Sequence, residues 1–336
     1  MTTTQTRPAP APDAVHDRPR SRVDAVRPYA TLAGMVIVLV VIAIVQPLFV
    51  DPRNLEAVLV DATVLSVLAV GLSVVMRTKG LDLSIAATAD LAGYLAAEVL
   101  LGGHGTVLAV LVGLAIGLAV GVVNGALSGY LGVPAIVSTL GANLLVTAIA
   151  LVVSDNGTPQ QLFTAPLPLV RPFLVLGSDS WGPFRLLLLL AVVVIALAWF
   201  ATSRTVWGRI GELLDANARA ATLSGLPVRA VFASGFVVSG LFAGLAGLML
   251  TARTGLAVPG SASPFLLDAF TAVYIGATAS PRGRIGVAWT VVGALFVSLL
   301  ANALVLLGLG APWRYGLNGA LILLALGLGV LRRRTR

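Results

Sequence analysis

Three carboxylates, Asp61, Asp90 and Glu98, stand within long runs of apolar residues, where an ionised side chain costs about 2.5–3.5 kcal/mol at the centre of an inserted helix. A charge kept at that cost has three uses: carrying a proton or sodium ion, offering hydrogen bonds to a polyhydroxylated solute, or tying one helix to the next. Asp90 is the deepest of the three. With Asp61, Asn124, Asn143 and Asn302 it supplies the side chains for a polar translocation path. Asp82 and Asp268 fall near the entrances of apolar runs, where capping a helix N-terminus is the expected job.

The remaining inventory excludes whole classes of chemistry. There is no cysteine, which removes disulfides, thiolate metal sites and cysteine nucleophiles together. His16 and His104 lie in a polar N-terminal stretch and a glycine-rich loop, so neither a histidine metal cluster nor a histidine acid–base pair can be assembled. No cofactor and no metal is expected. A membrane enzyme acting on lipid-linked substrates needs clustered acid, base or metal groups, which these scattered residues do not make. The single lysine, Lys79, is followed by Gly80, so the phosphate-cradling Gly-Lys-Ser/Thr loop cannot be written anywhere. The chain is not expected to be an enzyme, and any ATP is hydrolysed by a separate protein.

Membrane helices must position these groups. The 336 residues are 58% hydrophobic and 11% charged, with a mean hydropathy of +0.98, against about 25% charged residues in soluble domains. Apolar runs at 30–50, 55–76, 81–101, 106–130, 134–153, 185–202, 230–252, 266–280, 285–308 and 314–331 predict an all-α polytopic membrane protein of about ten transmembrane helices, one domain spanning 29–331. Residues 1–28, polar and rich in Pro and Arg without a signal-peptide core, read as a disordered cytoplasmic tail, and 332–336 as a basic one. With both termini in the cytoplasm, 17 of the 22 basic residues fall inside. The net charge of +8 therefore reports topology and contact with anionic membrane lipid rather than nucleic acid.

Two connections are long: 154–184, extracytoplasmic on this topology, and 203–229, cytoplasmic. Loops of that length are usually functional, and each is a candidate docking surface. In the second, Ile210, Leu213, Leu214 and Ala218 recur at helical spacing while Arg209, Glu212, Asp215 and Arg219 fall elsewhere, an amphipathic helix closed by Gly225 and Pro227. Its apolar face suits either the membrane surface or a cleft in a cytoplasmic protein. An internal echo joins the halves: Asn124, Leu131, Gly132 and Pro134 recur at the same spacing as Asn302, Leu309, Gly310 and Pro312. The two turns face opposite sides, the relation of inverted repeats around a midplane path.

Gly208-Arg209 followed by Asn217-Ala-Arg-Ala-Ala-Thr-Leu-Ser-Gly225-Leu resembles the cytoplasmic signature of ribose/xylose-type ABC permeases, roughly Gly-Arg and then Asn-Pro-Glu-Ala-Ala-Arg-Leu-Ser-Gly-Ile. Gly80-Leu-Asp82-Leu-Ser84 is similar to that family's Gly-Ile-Asp-Leu-Ser. Asn124-Gly125, Val133-Pro134, Thr139-Leu-Gly141, Leu267-Asp268-Ala269 and Ile275-Gly276-Ala-Thr278 follow its pattern in order, so the likeness runs over residues 55 to 331. It implies an inverted-repeat, type II ABC importer-like architecture in the bacterial inner membrane. It also implies a permease subunit, homodimeric, served by a cytoplasmic ABC ATPase and an extracytoplasmic binding protein, that imports a monosaccharide or related solute. The ATPase contact then falls on Gly208, Arg209, Glu212, Leu213, Leu214, Asn217, Ala220, Ala221, Leu223, Ser224 and Gly225, with Leu213 and Leu214 as buried anchors. The chain departs from the family at Ala218-Arg219, at Leu266 and in the turn Ser280-Pro-Arg-Gly-Arg284, which leaves the particular sugar and the cognate ATPase open. An ion-coupled secondary transporter using Asp61, Asp90 or Glu98 is the rival reading. It accounts for the carboxylates but not for the loop helix.

Overall fold

The computed structural model describes residues 22–181 and 184–334. Among them twelve α-helices follow in order: α1 (Arg22–Val45), α2 (Pro52–Arg77), α3 (Ile85–Leu101), α4 (Thr106–Gly125), α5 (Ala135–Val153), α6 (Leu167–Ser178), α7 (Leu186–Arg204), α8 (Val206–Leu223), α9 (Val228–Thr254), α10 (Ser263–Ala279), α11 (Val287–Leu306) and α12 (Ala311–Arg334). The protein is an all-α polytopic membrane protein. Helix α2 starts where Asp51 accepts from the Arg53 amide at 2.8 Å, with Pro52 in the first turn, the usual N-terminal chemistry. From Ala62 to Met76 every residue of α2 is buried, which is how a helix apolar on all sides is accommodated.

Helices α2 and α9 pack together at the centre. Helices α3 and α4 lie on α9, and α10 and α11 lie on α2. A shift of 178 residues carries α3 onto α10 end to end, brings α2 within two residues of α9, and superposes Asp90 on Asp268 as it does Asn124 on Asn302. The echo in the sequence is therefore an echo in the helices.

Each of the ten expected segments falls on a helix, but six of the described helices are long and apolar enough to cross a membrane: α2, α4, α5, α7, α9 and α11. Helices α3 and α10 have 17 residues each, about 25 Å at 1.5 Å per residue, short of a hydrocarbon core of about 30 Å. Helix α1 is 24 residues long and apolar from Tyr29 to Val45. That helix begins at Arg22, so residues 22–28 of the expected tail are helical. The C-terminal helix likewise takes in residues 332–334. The remainder of both tails lies outside the described residues.

Close approach of α4 to α9 depends on glycine. Gly113, Gly117, Gly121 and Gly125 recur every fourth residue of α4 and lie against the α9 backbone or side chains; a Cβ at Gly121 would stand 2.6 Å from the Phe236 carbonyl oxygen. Without a hydrophobic force between helices in lipid, this contact is what holds them.

Neither long connection is open. In the first, Gln160–Gln161 pairs antiparallel with Leu256–Ala257. Helix α6 buries Val170, Phe173 and Leu174, and the Tyr94 hydroxyl donates to the Thr158 carbonyl at 3.1 Å. Phe163 and Leu167 remain exposed on it. The second connection is α8.

Candidate functional site

Helix α8 is held close to the helix before it. The Thr205 hydroxyl accepts from the Gly208 amide at 3.3 Å, and Gly208 presses on the Thr202 carbonyl so closely that any Cβ would overlap it. The Trp207 indole N–H donates to Ser234 Oγ at 2.6 Å, and Arg77 donates to Glu212 at 2.8 Å. At Asn217 the backbone leaves helical geometry (φ −157°, ψ 92°), and its Oδ1 accepts from the Ala220 amide at 3.0 Å. One expected helix is thus two, the second capped by Asn217.

This geometry corrects the expected apolar face. Ile210 and Leu214 are buried against Val231, with Trp207, Ala218, Leu226 and Val228 around them, and Gly211 sits against Thr78. Leu214 is 4% exposed, so it anchors α8 to its own chain and cannot anchor a partner. Gly208 and Ala221 are buried as well. Arg209, Glu212, Leu213, Asn217, Ala220, Leu223, Ser224 and Gly225 face outward, with Leu213 51% and Leu223 82% exposed. Beside α8 a cleft of about 590 Å³ opens toward the turn before α11, lined among others by Arg77, Glu212, Asp215, Arg282, Arg284 and Trp289.

Among the described residues no hydrogen bond or ion pair joins any two of the five path candidates. Asp61, with its side chain 54% exposed, pairs with Arg253 at the end of α9. Asp90 accepts from the Ala262 amide at 2.7 Å and from Ser261 Oγ at 3.0 Å, joining α3 to the entrance of α10. Asn124 is fully buried and donates to Ser84 Oγ at 2.9 Å. Asn302 and Asn54 exchange reciprocal amide bonds at 2.9 and 3.0 Å. Asn143 is half-buried on α5.

Two buried clusters were not legible as such. Asp268, expected as a cap, is 1% exposed inside α10 and binds Arg314 and Asn318 of α12, while the Arg314 guanidinium lies 5.9 Å from the Phe265 ring centroid. Asp82 is not the cap of α3 either. Its carboxylate accepts from the Ser84 amide and hydroxyl at 2.9 and 2.7 Å and from Ser239 Oγ of α9 at 2.8 Å. Lone acids matched to a lone arginine or to serines in other spans were the available signal, since buried charges are kept only when paired or hydrogen-bonded. No group of three or more His, Cys, Asp or Glu able to hold a metal occurs among the described residues.

Residues 54–326 match the family model described as branched-chain amino acid transport system / permease component. The ribose import permease protein RbsC of Bacillus subtilis (strain 168) is 30% identical over 292 residues, covering 87% of this chain and 89% of its own. RbsC of Escherichia coli (strain K12) is 30% identical over 303 residues, 88% and 91%. The L-arabinose ABC transporter permease protein AraH of Azospirillum brasilense is 28% identical over 334 residues, 98% and 96%. No solved structure matches the chain. A multi-pass helical chain that shares most of its length with ribose and arabinose permeases, and keeps the amphipathic helix α8 fixed on the membrane bundle, belongs to the family of sugar ABC transporter permeases.

Proposed function

We propose that this chain is the transmembrane subunit of an ATP-driven importer for a monosaccharide or similar polyhydroxylated solute, working as a homodimer. The observation that carries the reading is the mount of α8: its inner face is spent on Val231 and Thr78, leaving Leu213 and Leu223 outward on a rigid base. Exposed leucines on a helix that also presents Arg209, Glu212 and Arg219 are what a cytoplasmic ATPase cleft takes up. Relatives named for ribose, arabinose and allose favour a sugar over a branched-chain amino acid.

In this reading α1, α3, α10 and α12 complete a ten-helix membrane domain. Helices α3 and α10 stay short because neighbouring protein, not lipid, surrounds them. The 178-residue shift then relates two inverted halves, both termini and α8 lie in the cytoplasm, and the 154–184 segment meets the solute-binding protein. Of the path candidates, Asn143 is the one whose side chain is left to face a solute; Asp61, Asp90, Asn124 and Asn302 hold helices together.

Orientation is tested with single cysteines, which meet no background in a chain without cysteine. Ser178 and Ser224 are both exposed. A membrane-impermeant thiol reagent on intact cells is expected to label Ser178→Cys and to leave Ser224→Cys unlabelled until the cells are opened. The reverse pattern contradicts the placement of α8.

A further inference from the structure

One eight-residue segment, Arg77 to Ser84, runs from α8 to the heart of the bundle. At its first end Arg77 holds Glu212 at 2.8 Å and the Thr202 carbonyl at 3.3 Å, and Thr78 sits between Gly211 of α8 and Gly235 of α9. Lys79 then turns the chain at φ +66°, a left-handed geometry that a non-glycine residue adopts only when its surroundings hold it there. At the far end the Leu81 carbonyl accepts from Thr139 Oγ1 of α5 at 3.1 Å. Asp82 and Ser84 close the knot: Ser239 of α9 and Asn124 of α4 bind them at 2.8 and 2.9 Å.

We propose that Asp82 is the positioning residue through which a displacement of α8 reaches α3, α4 and α5. The proposal rests on the reading of α8 as the ATPase contact. Helix α8 packs directly on α2, α7 and α9, and the 77–84 segment extends that contact to the other three helices. It has little slack, because both ends are bonded and its middle is a constrained turn. A carboxylate suits the knot chemically: it accepts on both oxygens and donates on neither, so it holds Ser84 with one oxygen and Ser239 with the other. The knot also contains a free acceptor. Asn124 Oδ1 is buried with no donor among the described residues, so a rearranged segment has a hydrogen bond to gain as well as bonds to lose.

The test is the ratio of sugar imported to ATP hydrolysed, in vesicles holding the permease with its ATPase and binding protein. Asp82→Ala is expected to retain the ATPase and hydrolyse ATP near the wild-type rate while the ratio falls about tenfold, a coupling free energy of ordinary size. Ser239→Ala, which leaves the segment itself untouched, should fall in the same direction by less. Asp82→Asn keeps one acceptor oxygen, and Ser239 can reverse its bond to meet the new amide, so it should recover most of the ratio. An unchanged ratio in Asp82→Ala and Ser239→Ala, or transport and hydrolysis falling together at constant ratio, would overturn the proposal. Should Asp82→Ala fail to assemble, Ser239→Ala is read in the same way. The wild-type control keeps the readings apart: a wild-type chain that does not retain the ATPase contradicts the α8 assignment, whereas variants that retain it at an unchanged ratio contradict only the role of Asp82.

Discussion

Replacing Leu213 and Leu223 together with serine is expected to abolish retention of the ATPase, with the permease still inserted and dimeric. Both side chains face outward from α8, and a few central apolar anchors usually dominate an interface. At about 1.5–3 kcal/mol for each fully buried leucine, losing both weakens binding at least about 100-fold. Arg209 and Glu212 sit at the rim of the same surface, where charge tunes encounter and orientation more than affinity. Leu214→Ser is the informative control. That side chain packs on Ile210 and Val231, so its loss should lower the thermal stability of the permease itself. Pull-down of purified ATPase with each variant measures the effect; unchanged retention by the Leu213/Leu223 double variant would mean that α8 rests on lipid.

Gly117→Leu is expected to prevent a folded bundle. A side chain there runs into the Gly240 carbonyl of α9, and Gly240 in turn presses on the Gly117 carbonyl. Overpacking costs about 1–3 kcal/mol when flexible side chains can give way. Here the obstacle is backbone, so the two most closely packed helices must separate. Gly34→Ala, in α1 with nothing within 4 Å of its added methyl, should be neutral or slightly stabilising. Monodispersity and melting temperature in detergent decide the matter, and a Gly117→Leu protein that melts like wild type contradicts the α4–α9 packing.

The helices were legible because an apolar run of some twenty residues has one common outcome. The sites were less so, and the reasons are local. Asp268 reads as a cap if α10 starts near residue 266. Pro264, acceptable in a first turn, lets the helix start at Ser263 and moves the carboxylate inside it. Asp82 reads as a cap if α3 starts at 81, but α3 starts at Ile85, leaving a non-helical segment whose partners lie 40 to 157 residues away. In α8 the helical period grouped Leu213 with Leu214. Packing on Val231 selects the 210–214 line instead, and the break at Asn217 gives Leu223 a face of its own. Among the described residues six helices have the length and composition of a membrane span, whereas α3 and α10, at 17 residues each, are apolar but short of the hydrocarbon core.

ATP hydrolysed by a partner, and not an ion gradient, is expected to drive solute through this chain. Uptake of labelled pentose into proteoliposomes containing the permease, its ATPase and the binding protein, with no proton or sodium gradient imposed, tests it directly. Accumulation that requires ATP, and stops when the ATPase is left out, is the predicted result. Accumulation driven by a proton or sodium gradient in liposomes lacking the ATPase would contradict it and return Asp61, Asp90 and Glu98 to the role of ion carriers.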